Sequence, residues 1–216
     1  MKLNSYAAEF LGTALITTAV IGSGIAASQL TEIPGLALLI NAIATVLTLA
    51  LMIALLQPIS GAHFNPAVSF VAFLNKQMKI NSLLFMVLSQ CIGAVSGAAL
   101  ANLMFSQTLL ETSNTTRSGS GLLVGEVLAT GGLIFAILIA IYNNKPQTLH
   151  WIVPLWIGGA YFFTSSTSFA NPAVTLGRAL SDTYAGIAPS SALTFIGAQF
   201  IGAFLGLSLA KVVRNQ

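Results

Sequence analysis

The tetrapeptide Asn-Pro-Ala-Val occurs twice, at residues 65–68 and 171–174. Each copy lies between apolar segments and reads as the start of a short helix. Asn caps the first free N–H groups of a helix, and Pro suits the first helical position. Two helix starts inside an apolar chain are two positive dipole ends, each with a side-chain amide beside it. Few folds accommodate that pair, and the surrounding solvent decides which.

The solvent is lipid. Of the 216 residues, 56% are hydrophobic and 6% charged, whereas a soluble domain carries about 25% charged residues. A helix needs ~20 mostly apolar residues to cross a bilayer. Six runs qualify, at residues 6–27, 36–57, 82–105, 122–142, 149–166 and 191–213. They leave no room for a soluble domain, so the expectation is one transmembrane domain over residues 1–216. The first run follows Lys2 as a signal peptide would, but Glu9 sits inside it, and a carboxylate does not belong in a cleavable apolar region. The single Cys91 permits no intrachain disulfide and reads as a small packing residue.

The net charge of +3 is sorted by membrane side and is not a nucleic-acid footprint. With the N-terminus inside, Lys2, Lys76, Lys79, Lys145, Lys211 and Arg214 all fall on the cytoplasmic side. Arg117 and Arg178 fall outside, with Glu32, Glu111 and Asp182. This positive-inside distribution predicts a multi-pass protein of the cell membrane with both termini cytoplasmic.

The chain also repeats itself. Ala8–Thr13 resembles Gly125–Thr130, giving Glu-x-x-x-Thr early in a span each time. The two Asn-Pro-Ala-Val sequences follow, and then Gln90-Cys91-Ile92-Gly93 parallels Gln199-Phe200-Ile201-Gly202. Each repeat, about 5–110 and 121–216, holds three spans. An odd number makes the second copy enter from the opposite face, so the repeats are inverted. The predicted fold class is therefore an all-α membrane protein of six transmembrane helices plus two re-entrant half-helices. A half-helix over Pro66–Leu74 rises only ~13 Å at 1.5 Å per residue, so it survives only when buried in protein or lining water. Gly93, Gly97, Gly202 and Gly206 read as close helix packing.

Asn65 and Asn171 would then aim amide N–H groups into a shared passage between two positive helix ends. A water or hydroxyl there offers its oxygen, a cation is repelled, and a proton relay is broken. Glu9 and Glu126 are intramembrane carboxylates, read as braces for irregular backbone in preference to a proton relay. His63, just before the first motif, reads as a loop brace in preference to a pH gate. Residues 113–120 read as a solvated outer loop. The sequence holds no Cys/His ligand spacing, activated nucleophile or phosphate-cradling loop, so neither a metal, a cofactor nor enzyme activity is expected.

Over its full length the chain resembles the aquaporin (major intrinsic protein) family, through the paired Asn65-Pro66-Ala67 and Asn171-Pro172-Ala173 signatures, Ser60-Gly61-Ala62-His63 before the first, and the inverted repeat. The resemblance implies a homotetramer with one pore per protomer, embedded in lipid, that passes water or small uncharged solutes. It also implies the bracing role for Glu9 and Glu126.

One position departs from the family pattern. Most members carry Arg immediately after the second Asn-Pro-Ala, as part of an outer selectivity filter; this chain has Val174. Counting from the motifs, the other filter positions fall on Thr45, Gly159 and Ser168. Four small residues imply a wide filter of mixed polarity, unless Tyr161, Phe162, Phe163 or Phe169 fills the gap. Arg178 follows one turn after Val174 and has two readings, a displaced cation barrier at the outer mouth or an ion pair with Asp182 one turn on; the pair is the default. Residues 171–189 resemble a bacterial subgroup found with arsenic-resistance genes, which implies passage of arsenite, a neutral trihydroxy species. The leading expectation is thus a passive channel for glycerol-like polyols, arsenite and water. The rivals are a water-selective channel with aromatic infill, an ion-coupled secondary transporter and a non-conducting scaffold.

Overall fold

The computed structural model describes residues 3–214, so Lys2 lies outside the described residues. The chain forms α1 (Leu3–Leu30), α2 (Pro34–Ser60), α3 (Pro66–Leu74), α4 (Ile80–Met104), α5 (Ser120–Tyr142), α6 (Leu149–Phe163), α7 (Pro172–Arg178) and α8 (Pro189–Arg214). Six of these are crossing helices, and α3 and α7 are half-helices of nine and seven residues. Five of the six, α1, α2, α4, α5 and α8, are long and apolar enough to cross a membrane by length and composition. The exception, α6, has fifteen residues and stops at Phe163, short of its apolar run. Thr164 turns extended there (φ −98°, ψ 143°), which starts the loop into the second Asn-Pro-Ala.

Packing between helices is symmetric. α1 lies along α4 as α5 lies along α8, and α1 touches α2 as α5 touches α6. Half-helix α3 packs against α4 and also against α8; α7 packs against α8 and also against α4. Each half-helix is thus clasped by the third crossing helix of both halves. The glycines make the long contacts possible. A Cβ on Gly97 would sit 2.3 Å from the Ala14 carbonyl oxygen of α1, and one on Gly206 would sit 2.2 Å from that of Gly131 in α5.

The distribution of polarity is that of a protein dissolved in lipid. Leu47, Leu51 and Leu55, one turn apart on α2, are more than half exposed, while Glu9, Gln90, Glu126 and Gln199 are fully buried. An exposed apolar stripe is at home in hydrocarbon, whereas a buried carboxylate needs a full set of donors.

Candidate functional site

The two Asn-Pro-Ala segments fold alike. Asn65 and Asn171 are both extended N-cap residues with φ −154°, and Pro occupies the first helical turn of α3 and α7. Asn65 Oδ1 accepts from the Ala67 N–H at 2.9 Å; Asn171 Oδ1 accepts from Ala173 at 3.0 Å and Val174 at 3.2 Å. Their amide nitrogens cross between the repeats. Asn65 Nδ2 donates to the Ala170 carbonyl and Asn171 Nδ2 to the Phe64 carbonyl, each at 2.8 Å. One hydrogen per amide is used in this way, which leaves the second for the cavity that both residues line.

The backbone before each motif is held in an uncommon shape. Ala62, Phe64, Ser168 and Ala170 all have left-handed φ near +50°, which costs a residue other than glycine ~1–3 kcal/mol. Buried carboxylates hold it there. Glu9 accepts from the N–H groups of His63 at 3.0 Å and Phe64 at 2.7 Å, and from the Ser60 hydroxyl at 2.6 Å. Glu126 accepts from the N–H groups of Phe169 and Ala170, both at 2.9 Å.

Two glutamines extend these braces, and sequence reasoning gave them no role. Gln90 Nε2 donates to Glu9 at 2.7 Å and to the Ser69 hydroxyl of α3 at 2.9 Å. Gln199 Nε2 donates to Glu126 at 2.6 Å and to the Thr175 hydroxyl of α7 at 3.0 Å. Each glutamine therefore ties a half-helix to the carboxylate that holds the loop before it. Their equivalence across the repeat was the available signal. His63 adds a contact that the second half lacks, its Nδ1 lying 3.0 Å from Ser69 Oγ.

The passage between the half-helices is a cavity of about 130 Å³, against the ~10–15 Å³ needed to hold one water. One wall is the α6 face formed by Leu149, Val153, Ile157 and Tyr161, four residues apart, and another is the apolar face of α5. Against these walls stand His63, Asn65 and Asn171, with Thr45, Ser168, Val174 and Arg178 also at the surface of the cavity.

Gly159 does not line it. A Cβ there would approach the Phe163 ring, on another face of α6. Tyr161 does line it, because the α6 residues that reach the cavity recur every fourth position and 159 is out of phase. The Tyr161 hydroxyl donates to Thr45 Oγ1 at 3.1 Å, and Thr45 donates to the Asn41 carbonyl at 2.8 Å. The protons of both hydroxyls are therefore committed. Among the other aromatic candidates, Phe169 lines the cavity, whereas Phe162 and Phe163 are each 55% exposed.

The expected pairing of Arg178 with Asp182 is not formed. Helix α7 ends at Arg178 and Ala179 caps it, so Asp182 is not one helical turn further along the same face. Asp182 instead accepts from the Asn114 N–H at 2.9 Å and the Asn114 side-chain amide at 3.0 Å. Arg178 is buried, its Nε donates to the Ala185 carbonyl, and its Cζ lies 3.3 Å from the centre of the Phe169 ring.

The segment between α4 and α5 is likewise not a free solvated loop. Ser113 is 1% exposed and donates its N–H to the Ala179 carbonyl at 3.0 Å; Arg117 Nε donates to the Gly186 carbonyl at 2.9 Å. The segment is thus laced to the loop that follows α7. Among the described residues no group of three or more His, Cys, Asp or Glu could hold a metal ion.

The chain has relatives among known proteins. The family model for the major intrinsic protein matches residues 1–169. An aquaglyceroporin, AqpS, of Rhizobium meliloti (strain 1021) is 43% identical over 94% of this chain and 87% of its own length. A probable aquaporin of Oryza sativa subsp. japonica, TIP2-2, is 30% identical over 98% of this chain and 86% of its own. The X-ray structure of the aquaglyceroporin from Plasmodium falciparum superposes with a TM-score of 0.78, over 98% of this chain and 96% of that one, at 20% identity, which speaks for the shared fold. The chain belongs to the major intrinsic protein family and is a multi-pass membrane channel, not an enzyme.

Proposed function

We propose that this channel passes small uncharged hydroxylated solutes, glycerol-like polyols and arsenite among them, together with water. The observation that carries the reading is Val174, an apolar residue in the cavity wall where most family members place the filter arginine. With Thr45 and Ser168 it makes an outer constriction of small side chains, two of them hydroxylated. The amides of Asn65 and Asn171 at the meeting point of α3 and α7 favour a passing oxygen and oppose cations. The similarity to an aquaglyceroporin at 43% identity supports the same substrate class.

A second reading, water selectivity, is favoured by one observation: the bulky Tyr161 lines the cavity beside Thr45, where its ring takes up space that a glycine would leave open. Stopped-flow swelling of proteoliposomes separates the two. Glycerol permeability above that of empty liposomes supports the polyol reading, and fast water flux with glycerol excluded supports the second. Ion-coupled transport has no support, since both buried carboxylates are engaged by backbone N–H groups and glutamine amides.

The remaining assignments are part of the same proposal. Residues 1–216 form one channel domain built from two inverted repeats, and the protein sits in the cell membrane as a homotetramer. Lys76 and Lys79 follow α3 while Lys145 precedes α6, all at the end of the bundle where α8 finishes with Lys211 and Arg214. The positive-inside rule makes that end cytoplasmic.

A further inference from the structure

We propose that Ser69 is a positioning residue for the passage. Its hydroxyl fixes His63 in the tautomer that carries the proton on Nε2, so the loop before Asn65 presents a neutral N–H donor to the passage and not a lone pair. The inference concerns any neutral solute that offers an oxygen, water included, so it does not depend on the polyol reading.

The two copies of Asn-Pro-Ala-Val diverge at the next residue, Ser69 after the first and Thr175 after the second. Both hydroxyls accept from a glutamine, Ser69 from Gln90 Nε2 at 2.9 Å and Thr175 from Gln199 Nε2 at 3.0 Å. Their own protons go different ways. Thr175 donates to the Asn171 carbonyl one turn back, at 2.8 Å. Ser69 forms no such bond among the described residues, and its second partner is His63 Nδ1 at 3.0 Å.

Which of these two gives the proton follows from the donors around them. Gln90 Nε2 lies 2.7 Å from Glu9 Oε2, so the amide nitrogen, and not the amide oxygen, faces the carboxylate. The other hydrogen of that nitrogen falls on Ser69 Oγ. Ser69 is fully buried, and among the described residues His63 Nδ1 is the acceptor within reach of its hydroxyl. With a proton on Nδ1, Ser69 Oγ would receive two donors and its own proton would be sealed without an acceptor, a costly state for a buried group. The proton therefore runs from Ser69 to Nδ1, and the ring carries its own on Nε2. The doubly protonated ring fails the same count, because its Nδ1 is again a donor.

Nε2 is open to the passage. His63 lines the cavity, and Nε2 neither bonds to a described residue nor lies among the sealed polar atoms. Gly61, also in the cavity wall, has φ +92°, and a Cβ there would lie 3.3 Å from Nε2, so the glycine leaves that nitrogen uncrowded. Rival donors are few. The α6 wall contributes Leu149, Val153 and Ile157, which cannot hydrogen-bond, and the Tyr161 proton is committed to Thr45. The His63 N–H and the two Asn amides are thus donors of one kind along one passage.

The full chain in lipid bilayers, with isotope-labelled histidine, tests this by solid-state NMR together with water flux in proteoliposomes. The chain has two histidines, His63 and His150, so His150→Gln assigns the spectrum. The wild-type His63 ring is expected to be bare at Nδ1 and protonated at Nε2. Ser69→Thr keeps an acceptor for Gln90 but lets the hydroxyl bond the Asn65 carbonyl, as Thr175 bonds that of Asn171. His63 should then move its proton to Nδ1, and water flux should fall about 2- to 10-fold, the factor for one neutral hydrogen bond. Ser69→Ala should also lose the single Nε2–H signature, whereas a purely structural role for Ser69 predicts the wild-type tautomer in both variants. A wild-type ring protonated on Nδ1, or the wild-type tautomer in Ser69→Thr, overturns the role of Ser69. Wild-type flux in Ser69→Thr, with its tautomer changed, overturns the role of the N–H in the passage. Where Ser69→Thr fails to reach the bilayer, the wild-type spectrum and Ser69→Ala decide. Exclusion of glycerol by the wild-type protein overturns the polyol reading and leaves this inference standing.

Discussion

Asn65 donates its side-chain amide to the main-chain carbonyl of Ala170, a residue 105 positions away and in the opposite repeat, at 2.8 Å. Asn171 returns the bond to Phe64 at the same distance. Each asparagine thus caps its own half-helix and anchors the loop that leads into the other. The two motifs are one interlocked unit, and damage to one is felt by both.

Asn171→Ala removes a cap worth ~1 kcal/mol and a cross-repeat hydrogen bond worth ~1 kcal/mol. It also leaves the Phe64 carbonyl and the N–H groups of Ala173 and Val174 without their partner. The expected loss is ~2–3 kcal/mol of stability, seen as a lower melting temperature in detergent. Proton leak in proteoliposomes should rise as well, because the orienting amide is gone. Wild-type stability in this variant would show that the interlock is not a source of stability.

Glu126→Ala should be more severe. It strips acceptors from Phe169, Ala170 and Gln199 while Ala170 keeps its left-handed φ of +47°. An unsatisfied buried donor costs ~1–3 kcal/mol, so three together approach the whole stability of a domain. The expected outcome is loss of folded protein on size-exclusion chromatography. Glu126→Gln retains one acceptor oxygen and should be intermediate. The mirror substitution Glu9→Ala should behave in the same way, since Glu9 holds His63 and Phe64.

The residues that carry this interlock were largely legible in the sequence, and the reason is symmetry. A motif that recurs in an inverted repeat identifies its own partner, so Asn65, Asn171, Glu9 and Glu126 could be singled out without coordinates. Positions counted at a distance were less legible. Counting back from Asn171 selected Gly159, but the intervening loop is not helical, so the count carried no phase. The four-residue spacing of Leu149, Val153, Ile157 and Tyr161 marks the face of α6 that reaches the cavity. Arg178 and Asp182 were paired by helical spacing beyond the point where α7 stops. Gln90 and Gln199 were visible as repeat landmarks, but a glutamine in a span announces no partner until the carboxylate is placed beside it.

Asp182 is the group from which a pH response of the outer loop is expected. Its carboxyl is held below the ordinary carboxylate value by the Asn114 N–H, the Asn114 side-chain amide and the Ser113 hydroxyl. A depressed value means the folded form binds the proton more weakly than the unfolded chain does. The tether is then complete above the unfolded value of ~3.9 and is lost as pH falls through the lower folded value. The protection factor of the Asn114 amide, its exchange relative to an unstructured chain at the same pH, should be high at neutral pH and fall in acid. Asp182→Asn should give low protection at both. High protection in that variant would mean that the other loop contacts hold the segment without the carboxylate.

Val174→Arg tests the feature that set the solute reading. Val174 is 4% exposed and lines the cavity, so a guanidinium there has nowhere to go but the passage. It would also lie one turn from Arg178 on α7, adding a like-charge pair that costs ~0.2–0.5 kcal/mol on a helix surface and more in a dry wall. The glycerol-to-water permeability ratio should fall about tenfold or more, as a barrier increase of ~1.4 kcal/mol or greater implies. Water flux should fall less, because a water passes a narrower opening than a triol. Arsenite flux should follow glycerol, since both are neutral polyhydroxy species of similar shape. Glycerol and arsenite fluxes at wild-type levels in a correctly folded Val174→Arg protein would place residue 174 outside the constriction, and the breadth of the filter would then have to come from Thr45, Tyr161 and Ser168 alone.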